Sequence, residues 1–169
     1  ADVILAAGAG RRQLAGLARP LSVEPIRGQM AALAWPTGVP RSIVLGRGAY
    51  LAARDGEAVV GSTMEHVGFS AEVTAAGLAE IFTGVSALCP ALARGEVLRT
   101  WAGLRPITPD GLPIIGREPK LNGLWYAAGH GRNGILLAGV TGVILARLIA
   151  GENEIEHLAP LTPERFWRS

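Results

Sequence analysis

The rhythm of apolar and polar positions changes several times along this chain, and each change predicts an element. Residues 2–10, DVILAAGAG, form a continuous apolar run closed by Gly-Ala-Gly. That is the pattern of a strand buried on both faces of a parallel-type sheet. EPIRGQMAALAW at 24–35 and SIVLG at 42–46 read as further strands. AYLAARDGEAVVGST at 49–63 reads as a hairpin, two apolar runs turning at Asp55-Gly56. The period then lengthens. Val73, Gly77, Ile81, Val85 and Leu88 recur at near-helical spacing, predicting a helix over 72–88 that Pro90 closes. Residues 95–116 give a strand, a Pro-Asp-Gly loop and a short strand, and GLWYAAG at 123–129 gives another strand. An apolar run from Asn133 to about Ala150 predicts a last helix, with Gly151 as the residue that stops it. The tail from Leu158 reads as irregular, with Phe166 and Trp167 packed onto the surface.

Antiparallel strands with one helix fill the middle of the chain, while strand and strand–helix pieces lie at both ends. A length of 169 residues favours one domain, but two layer types in one chain predict two lobes. The fold class expected is mixed, α+β with α/β. An antiparallel-sheet lobe is expected over residues 23–104, and an α/β lobe assembled from segments 1–22 and 105–169.

Composition adjusts this picture in places. Hydrophobic residues make up 49% and charged residues 18%, so the chain has a core to bury and is not disordered. The 23 glycines are roughly twice the usual share and follow no three-residue period, which excludes collagen and suggests tight strand–helix junctions. The net charge of +2 comes with no basic run, so neither nucleic acid nor a membrane surface is expected as a partner. Arg147 interrupts the last apolar run short of the roughly 20 residues a bilayer needs, so a buried core helix is expected there. The single cysteine, Cys89, has no internal partner, which fits a reducing compartment, and it reads as an apolar filler. ADVILAAGAG has no basic n-region and reads as a strand that starts in mid-fold, not a signal peptide. The chain thus reads as a piece of something longer, in the cytoplasm.

Three places hold candidate chemistry. In GHGRNG at 129–134, glycines open the backbone, and a helix starting at Asn133 would present free N–H groups and a positive dipole end to an oxygen-rich group. The same residues also make an ordinary tight turn with Asn133 as N-cap. Arg105, at a strand end before Pro106, is either a surface residue or a planar clamp for a carboxylate. Tyr50 and Met64, on the two arms of the hairpin region, face either a cavity or the core. No cysteine pair or histidine cluster suggests a metal, and there is no serine nucleophile elbow or GxxxxGK[ST] loop. GAGRR at 8–12 lacks the third glycine of a dinucleotide loop.

Taken together, RGQM (27–30), YLAARDGEAVVGSTME (50–65), WAGLRPITPDGLPIIG (101–116) and GHGRNGILLAGVTG (129–142) resemble the amino-acid oxidase superfamily of flavoproteins, most closely the glycine oxidases of thiamin biosynthesis. The likeness runs over about nine tenths of the chain. It implies a Rossmann-like FAD-binding lobe built from 1–22 and 105–169, and a substrate lobe over 23–104. It implies FAD as cofactor, with Gly129, His130, Gly131, Arg132, Asn133, Gly134, Ile135 and Leu136 against the flavin's pyrimidine edge. It also implies Arg105 on the substrate carboxylate, with Tyr50, Met64 and Arg132 beside the substrate, and no residue certain to act in catalysis itself. The chemistry implied is hydride transfer from a small amino acid to FAD, with oxygen reduced to peroxide.

Two departures stand out. Ala52-Ala53 and Gly131 replace bulkier residues usual in that family, and an N-terminal GxGxxG after a first strand is missing. The chain is therefore expected to be the C-terminal portion of the enzyme, inactive alone and without bound FAD. The N-terminal FAD-binding segment and a small amino acid are its expected partners, and homo-oligomer formation stays open. A D-amino-acid dehydrogenase, a sarcosine-oxidase-like enzyme, and a non-catalytic domain that keeps the fold without cofactor are the alternatives.

Overall fold

Alternation gives way to continuous apolar runs where a strand is covered on both sides, and both patterns occur here. The computed structural model describes residues 1–10, 17, 19–46, 48–152, 155 and 157–167. In chain order these form β1 (Val3–Leu5), β2 (Glu24–Ala34), β3 (Ile43–Gly46), β4 (Ala49–Arg54), β5 (Glu57–Gly61), α1 (Ala75–Leu88), β6 (Val97–Ile107), β7 (Ile114–Arg117), β8 (Leu124–Ala128) and α2 (Gly134–Ile149). The chain divides into two units, Ile26–Leu104 and the remainder, Ala1–Pro25 with Arg105 onward.

The unit of Ile26–Leu104 is organised by a five-stranded sheet in the order β3-β4-β5-β2-β6. The β4–β5 turn puts both central residues at positive φ, Asp55 at 50° and Gly56 at 83°. That is the mirror-image turn whose twist suits a hairpin, and Asp-Gly tolerates it. On one face Ala31, Leu33, Leu51, Ala58 and Val60 pack with Ile81 and Val85 of α1. Helix α1 starts at Ala75, later than the spacing predicts, because Thr74 caps it: its Oγ1 accepts the Gly77 N–H at 3.2 Å. Pro90 opens a short 3₁₀ turn after the helix stops at Cys89, and Cys89 packs on the apolar cluster as a filler.

The other unit holds a three-stranded sheet, β1-β8-β7, with β1 parallel and β7 antiparallel to β8. Both faces of β7 and β8 are covered. Ile115 and Trp125 pack with Leu145 of α2, and Ile114, Tyr126 and Ala128 pack with Leu21 and Val23. This explains the unbroken apolar run WYAA. Phe166 and Trp167 close over the second cluster, and Tyr126 meets Trp167 edge to face at 6.2 Å between ring centroids. Two 3₁₀ turns order the tail.

Two expectations fail in this unit. Strand β1 is three residues long, and Val3 and Ile4 are exposed, so the apolar run at 2–10 is not a strand buried on both faces. Helix α2 is not a buried core helix: Ile135 is 97% and Leu136 81% exposed, with Val140 and Val143 also in the open. Only Thr141 and Leu145 are buried on it. One stripe meets the sheet, and nothing among the described residues covers the rest. With the 3₁₀ turn before it, the helical stretch Gly131–Ile149 is long and apolar enough to cross a membrane by length and composition. Its end is as expected, with Gly151 at φ +93° after the C-cap Ala150.

Candidate active site

The two units contribute separate sets of residues. In the unit that holds α2, strand β6 ends at Ile107, which pairs with His130 across an isolated antiparallel bridge. The bridge ties the end of one strand to the glycine hinge at the head of the helix. Arg105 lies two residues before it and is half-buried, and alternation puts it on the same strand face as Ile107. That face meets the hinge, since a Cβ on Gly131 would lie 3.5 Å from Ile107 Cγ1. Gly129, at φ +75°, is required by contact as well, because a Cβ there would fall 2.5 Å from Thr108 Cγ2.

The Pro-Asp-Gly loop beneath the hinge is held from the tail. Arg165 donates from Nε to Asp110 Oδ2 at 2.7 Å and from Nη2 to Asp110 Oδ1 at 3.2 Å. It also donates from Nη2 to the Leu112 carbonyl at 2.7 Å. The Arg165 guanidinium holds the Asp110 carboxyl down at about 2. Thr108 is buried and donates to the Leu112 carbonyl at 2.7 Å.

His130 is half-buried, with Nε2 3.0 Å from Thr141 Oγ1, and burial lowers its pKa below the ordinary value. It therefore ties the hinge to α2 as a neutral ring. Gly131–Asn133 form a 3₁₀ turn, so α2 starts one residue later than expected, at Gly134. Asn133 occupies the N-cap position, but its side chain makes no capping bond. The first-turn N–H groups of a helix have no partner within it, and here exposed Arg132, Asn133, Ile135 and Leu136 surround them. Gly129, Gly131 and Gly134 also have the GxGxxG spacing between a strand and a helix, which the sequence reading assigned only to a missing N-terminal motif. Among the described residues no strand follows α2, so the βαβ context of a dinucleotide loop is lacking. Of GAGRR, Arg11 and Arg12 lie outside the described residues.

In the unit of Ile26–Leu104, Tyr50 on β4 stands opposite Gly61 on β5, and Gly61 stands opposite Met30 on β2. The Tyr50 hydroxyl donates to Met30 Sδ at 3.1 Å. Met64 is 55% exposed, between two residues that share one anchor. Thr63 Oγ1 and Gln29 Nε2 donate to Glu65 Oε1 at 2.5 and 2.8 Å, and Arg27 donates to Oε2 at 2.5 Å. Arg27 and Glu65 also exchange backbone hydrogen bonds of 2.9 and 3.0 Å. Arg27 first, with Thr63 and Gln29, holds the Glu65 carboxyl down at about 2 against the opposing effect of burial. The buried polar set Arg27, Gln29 and Thr63 escaped the sequence reading as a network, as did Met30 as a partner of Tyr50. Polar residues at alternate positions inside an apolar strand were the available signal.

The class of protein comes from likeness to known proteins, and it is that of the FAD-dependent oxidoreductases. Residues 1–148 match the FAD dependent oxidoreductase family, DAO, and the chain belongs to it. The chain is 39% identical over 165 residues to a glycine oxidase of Pseudomonas putida, covering 96% of this chain and 45% of that protein. It is 40% identical over 151 residues to the bifunctional protein ThiO/ThiG of a Nostoc species, covering 86% of this chain and 22% of that one. The crystal structure of glycine oxidase from Geobacillus kaustophilus superposes with a TM-score of 0.87 at 34% identity, over 97% of this chain and 45% of that one. The chain thus spans less than half the length of these relatives.

Proposed function

We propose that the protein carrying this chain is an FAD-dependent oxidase that deaminates glycine or another small amino acid, in the cytoplasm and in the service of thiamin biosynthesis. The bridge between Ile107 and His130 carries this reading, because it ties the strand of Arg105 to the exposed head of α2. The residues at that head fit a flavin edge. Gly131 and Gly134 allow close backbone approach, the first-turn N–H groups suit a carbonyl, and exposed Ile135 and Leu136 suit a flat ring. FAD, when bound, supplies the chemistry of accepting a hydride from the substrate α-carbon and passing the electrons to oxygen.

The chain's own residues bind and orient. Arg105 offers a planar fork that grips both oxygens of a carboxylate, and Arg132 takes the place of the family arginine beside flavin and substrate. Tyr50 and Met64 border the substrate, as the likeness to the family implies. His130 has Nε2 engaged with Thr141, and the substrate amine arrives in its neutral form. An N-terminal FAD-binding segment of the same protein completes the cofactor site, and the likeness to proteins more than twice as long supports this.

The test is expression of the complete coding sequence that contains this chain. Yellow protein that releases peroxide with glycine supports the reading. Substrate-reduced flavin without peroxide points to a dehydrogenase, and colourless protein to a non-catalytic domain.

A further inference from the structure

The C-terminal tail is anchored on the sheet of its own unit on either side of Arg165. Pro163 is buried, and a Cβ on Gly116 of β7 would lie 3.2 Å from its Cδ. Phe166 and Trp167 pack on the cluster of Ile114, Tyr126 and Ala128. Arg165 stands between these anchors on a short 3₁₀ turn. A guanidinium carries five N–H donors in a rigid fork. In Arg165, Nε donates to Asp110 Oδ2 at 2.7 Å, and Nη2 donates to Asp110 Oδ1 at 3.2 Å and to the Leu112 carbonyl at 2.7 Å. Nη1 donates to the carbonyls of Leu161 and Thr162 at 2.9 and 3.1 Å. The donors are thus matched by acceptors from the tail itself and from the Pro-Asp-Gly loop. Exposed ion pairs contribute little in general, but a bidentate arginine–carboxylate pair is the exception.

The loop that Arg165 grips leads straight back to Arg105. The connecting run is Arg105-Pro106-Ile107-Thr108-Pro109-Asp110, and its two prolines each hold φ at about −65°. Ile107 is bridged to His130. Buried Thr108 sits so close to Gly129 that a Cβ there would fall 2.5 Å from its Cγ2. Beyond Pro109 the loop closes on itself. The Gly111 N–H donates to the Thr108 carbonyl and the Leu112 N–H to Asp110 Oδ1, both at 3.1 Å, and Thr108 Oγ1 donates to the Leu112 carbonyl at 2.7 Å. Asp110 Oδ1 and the Leu112 carbonyl therefore serve the loop and Arg165 at once. Arg105 is also where this unit resumes, after the continuous one ends at Leu104. Ile107 and Thr108 join it to the hinge, and Arg165 holds the far end of the same stiff run.

We propose that Arg165 is a positioning residue that, through Asp110 and Leu112, fixes the Arg105 fork beside the glycine hinge, a deepening that rests on the proposed oxidase reading. The aim of the fork matters because a carboxylate gripped by both oxygens carries its α-carbon with it. A misplacement of about 1 Å caused by a remote change can cost about 100-fold in rate. The clamp holds throughout the neutral range, because the Arg165 guanidinium keeps the Asp110 carboxyl down at about 2. The tail thus acts on the substrate without touching it.

The test uses the complete FAD-loaded protein with Arg165→Lys and Asp110→Asn, which approach the clamp from its two sides. Lys keeps the charge and loses the fork, and Asn keeps the shape and loses the charge. Hydrogen exchange at the Gly111 and Leu112 amides should quicken by about threefold or more in both variants, the scale of a weakened hydrogen bond. Acetate, which has the carboxylate and no amine, should bind about 3- to 10-fold more weakly, followed on its methyl signal by NMR titration. For glycine, kcat/KM should fall at least as far, because a misaimed α-carbon lowers kcat as well as affinity. Flavin content should stay near normal, and oxygen should reoxidise chemically reduced flavin within about twofold of the wild-type rate, since one lost hydrogen bond would exceed that. Loss of flavin or slowed reoxidation alongside weaker acetate binding would mark a merely structural tail and overturn the proposal. Unchanged exchange in the loop, faster exchange with unchanged acetate binding, or a wild-type protein that binds no acetate would overturn it as well. Weaker acetate binding in the variants of a protein that oxidises no amino acid would sink the oxidase reading and leave the clamp standing.

Discussion

Arg105 is held by its backbone near the end of the eleven-residue strand β6, directly before Pro106 and two residues before the Ile107–His130 bridge. A fixed fork can orient a carboxylate, whereas a lysine offers a point charge on a flexible stem. In the complete FAD-loaded enzyme, Arg105→Lys is expected to cost on the order of 2–4 kcal/mol, about 30- to 1000-fold in kcat/KM for glycine. Flavin content should stay near normal, and amines without a carboxylate should lose far less. Retention of most kcat/KM would return Arg105 to the surface class. Glu65 makes a different prediction, about stability. Its pKa falls from an ordinary 4.5 to about 2 in the folded chain. A depressed carboxylate contributes stability above its unfolded pKa, and the contribution fades as pH falls from 4.5 toward 2. Glu65→Gln should therefore be less stable at pH 7, on the order of 3 kcal/mol, because it leaves buried Arg27 without its anion. It should also show a shallower loss of stability between pH 4.5 and 2 in urea titrations. At Arg105, where strand, charge and proline coincide, the sequence let a candidate be named. None could be named at Glu65, because Arg27 and Gln29, which donate to its carboxylate, come from β2, dozens of residues earlier.

Elements were easier to read than their surroundings. The hairpin, α1 and α2 follow from period and turn chemistry, since those signals are local. What lies against each face is not local, and α2 shows it. Its apolar composition implied burial, yet most of it faces outward, because composition records what a helix can bury and not what this chain supplies. The two helices give opposite answers to one substitution. A Cβ on Gly77 of α1 would lie 2.1 Å from Gln29 Nε2, whose bonds to Glu65 and Thr74 it would displace. Alanine gains about 1 kcal/mol of helix propensity over glycine, but overpacking costs about 1–3 kcal/mol and a broken buried hydrogen bond about as much again. Gly77→Ala should therefore lose about 2 kcal/mol or more in denaturant unfolding. On α2, a Cβ at Gly139 would meet nothing within 4 Å. Gly139→Ala should stabilise this chain by up to about 1 kcal/mol. Equal shifts of the same sign at both sites would contradict the packing of α1.

At the scale of the whole molecule, the uncovered face of α2 and the exposed β1 leave the α/β layer with unburied apolar surface. Among the described residues no strand follows α2 to make a βαβ unit, so the hinge is expected to hold one edge of a flavin only. This 169-residue chain on its own should thus lose FAD during gel filtration. Flavin absorbance that travels with the protein peak would refute that. The unit boundaries carry a consequence for how the chain is made. Residues 26–104 are continuous, but the other unit joins the first residues to the last: Val3 pairs with Leu124, and Trp125 Nε1 donates to Asp2, 123 residues away. A ribosome releases the chain in order, at about 5–20 residues per second. Strand β1 therefore emerges before β8 and waits several seconds for it, while the continuous unit has its own strands close behind one another. Closing a long loop costs entropy that grows with the length of free chain. Prior condensation of residues 26–104 would shorten the free chain between β1 and β8, so translation order favours folding of the continuous unit before the split one closes.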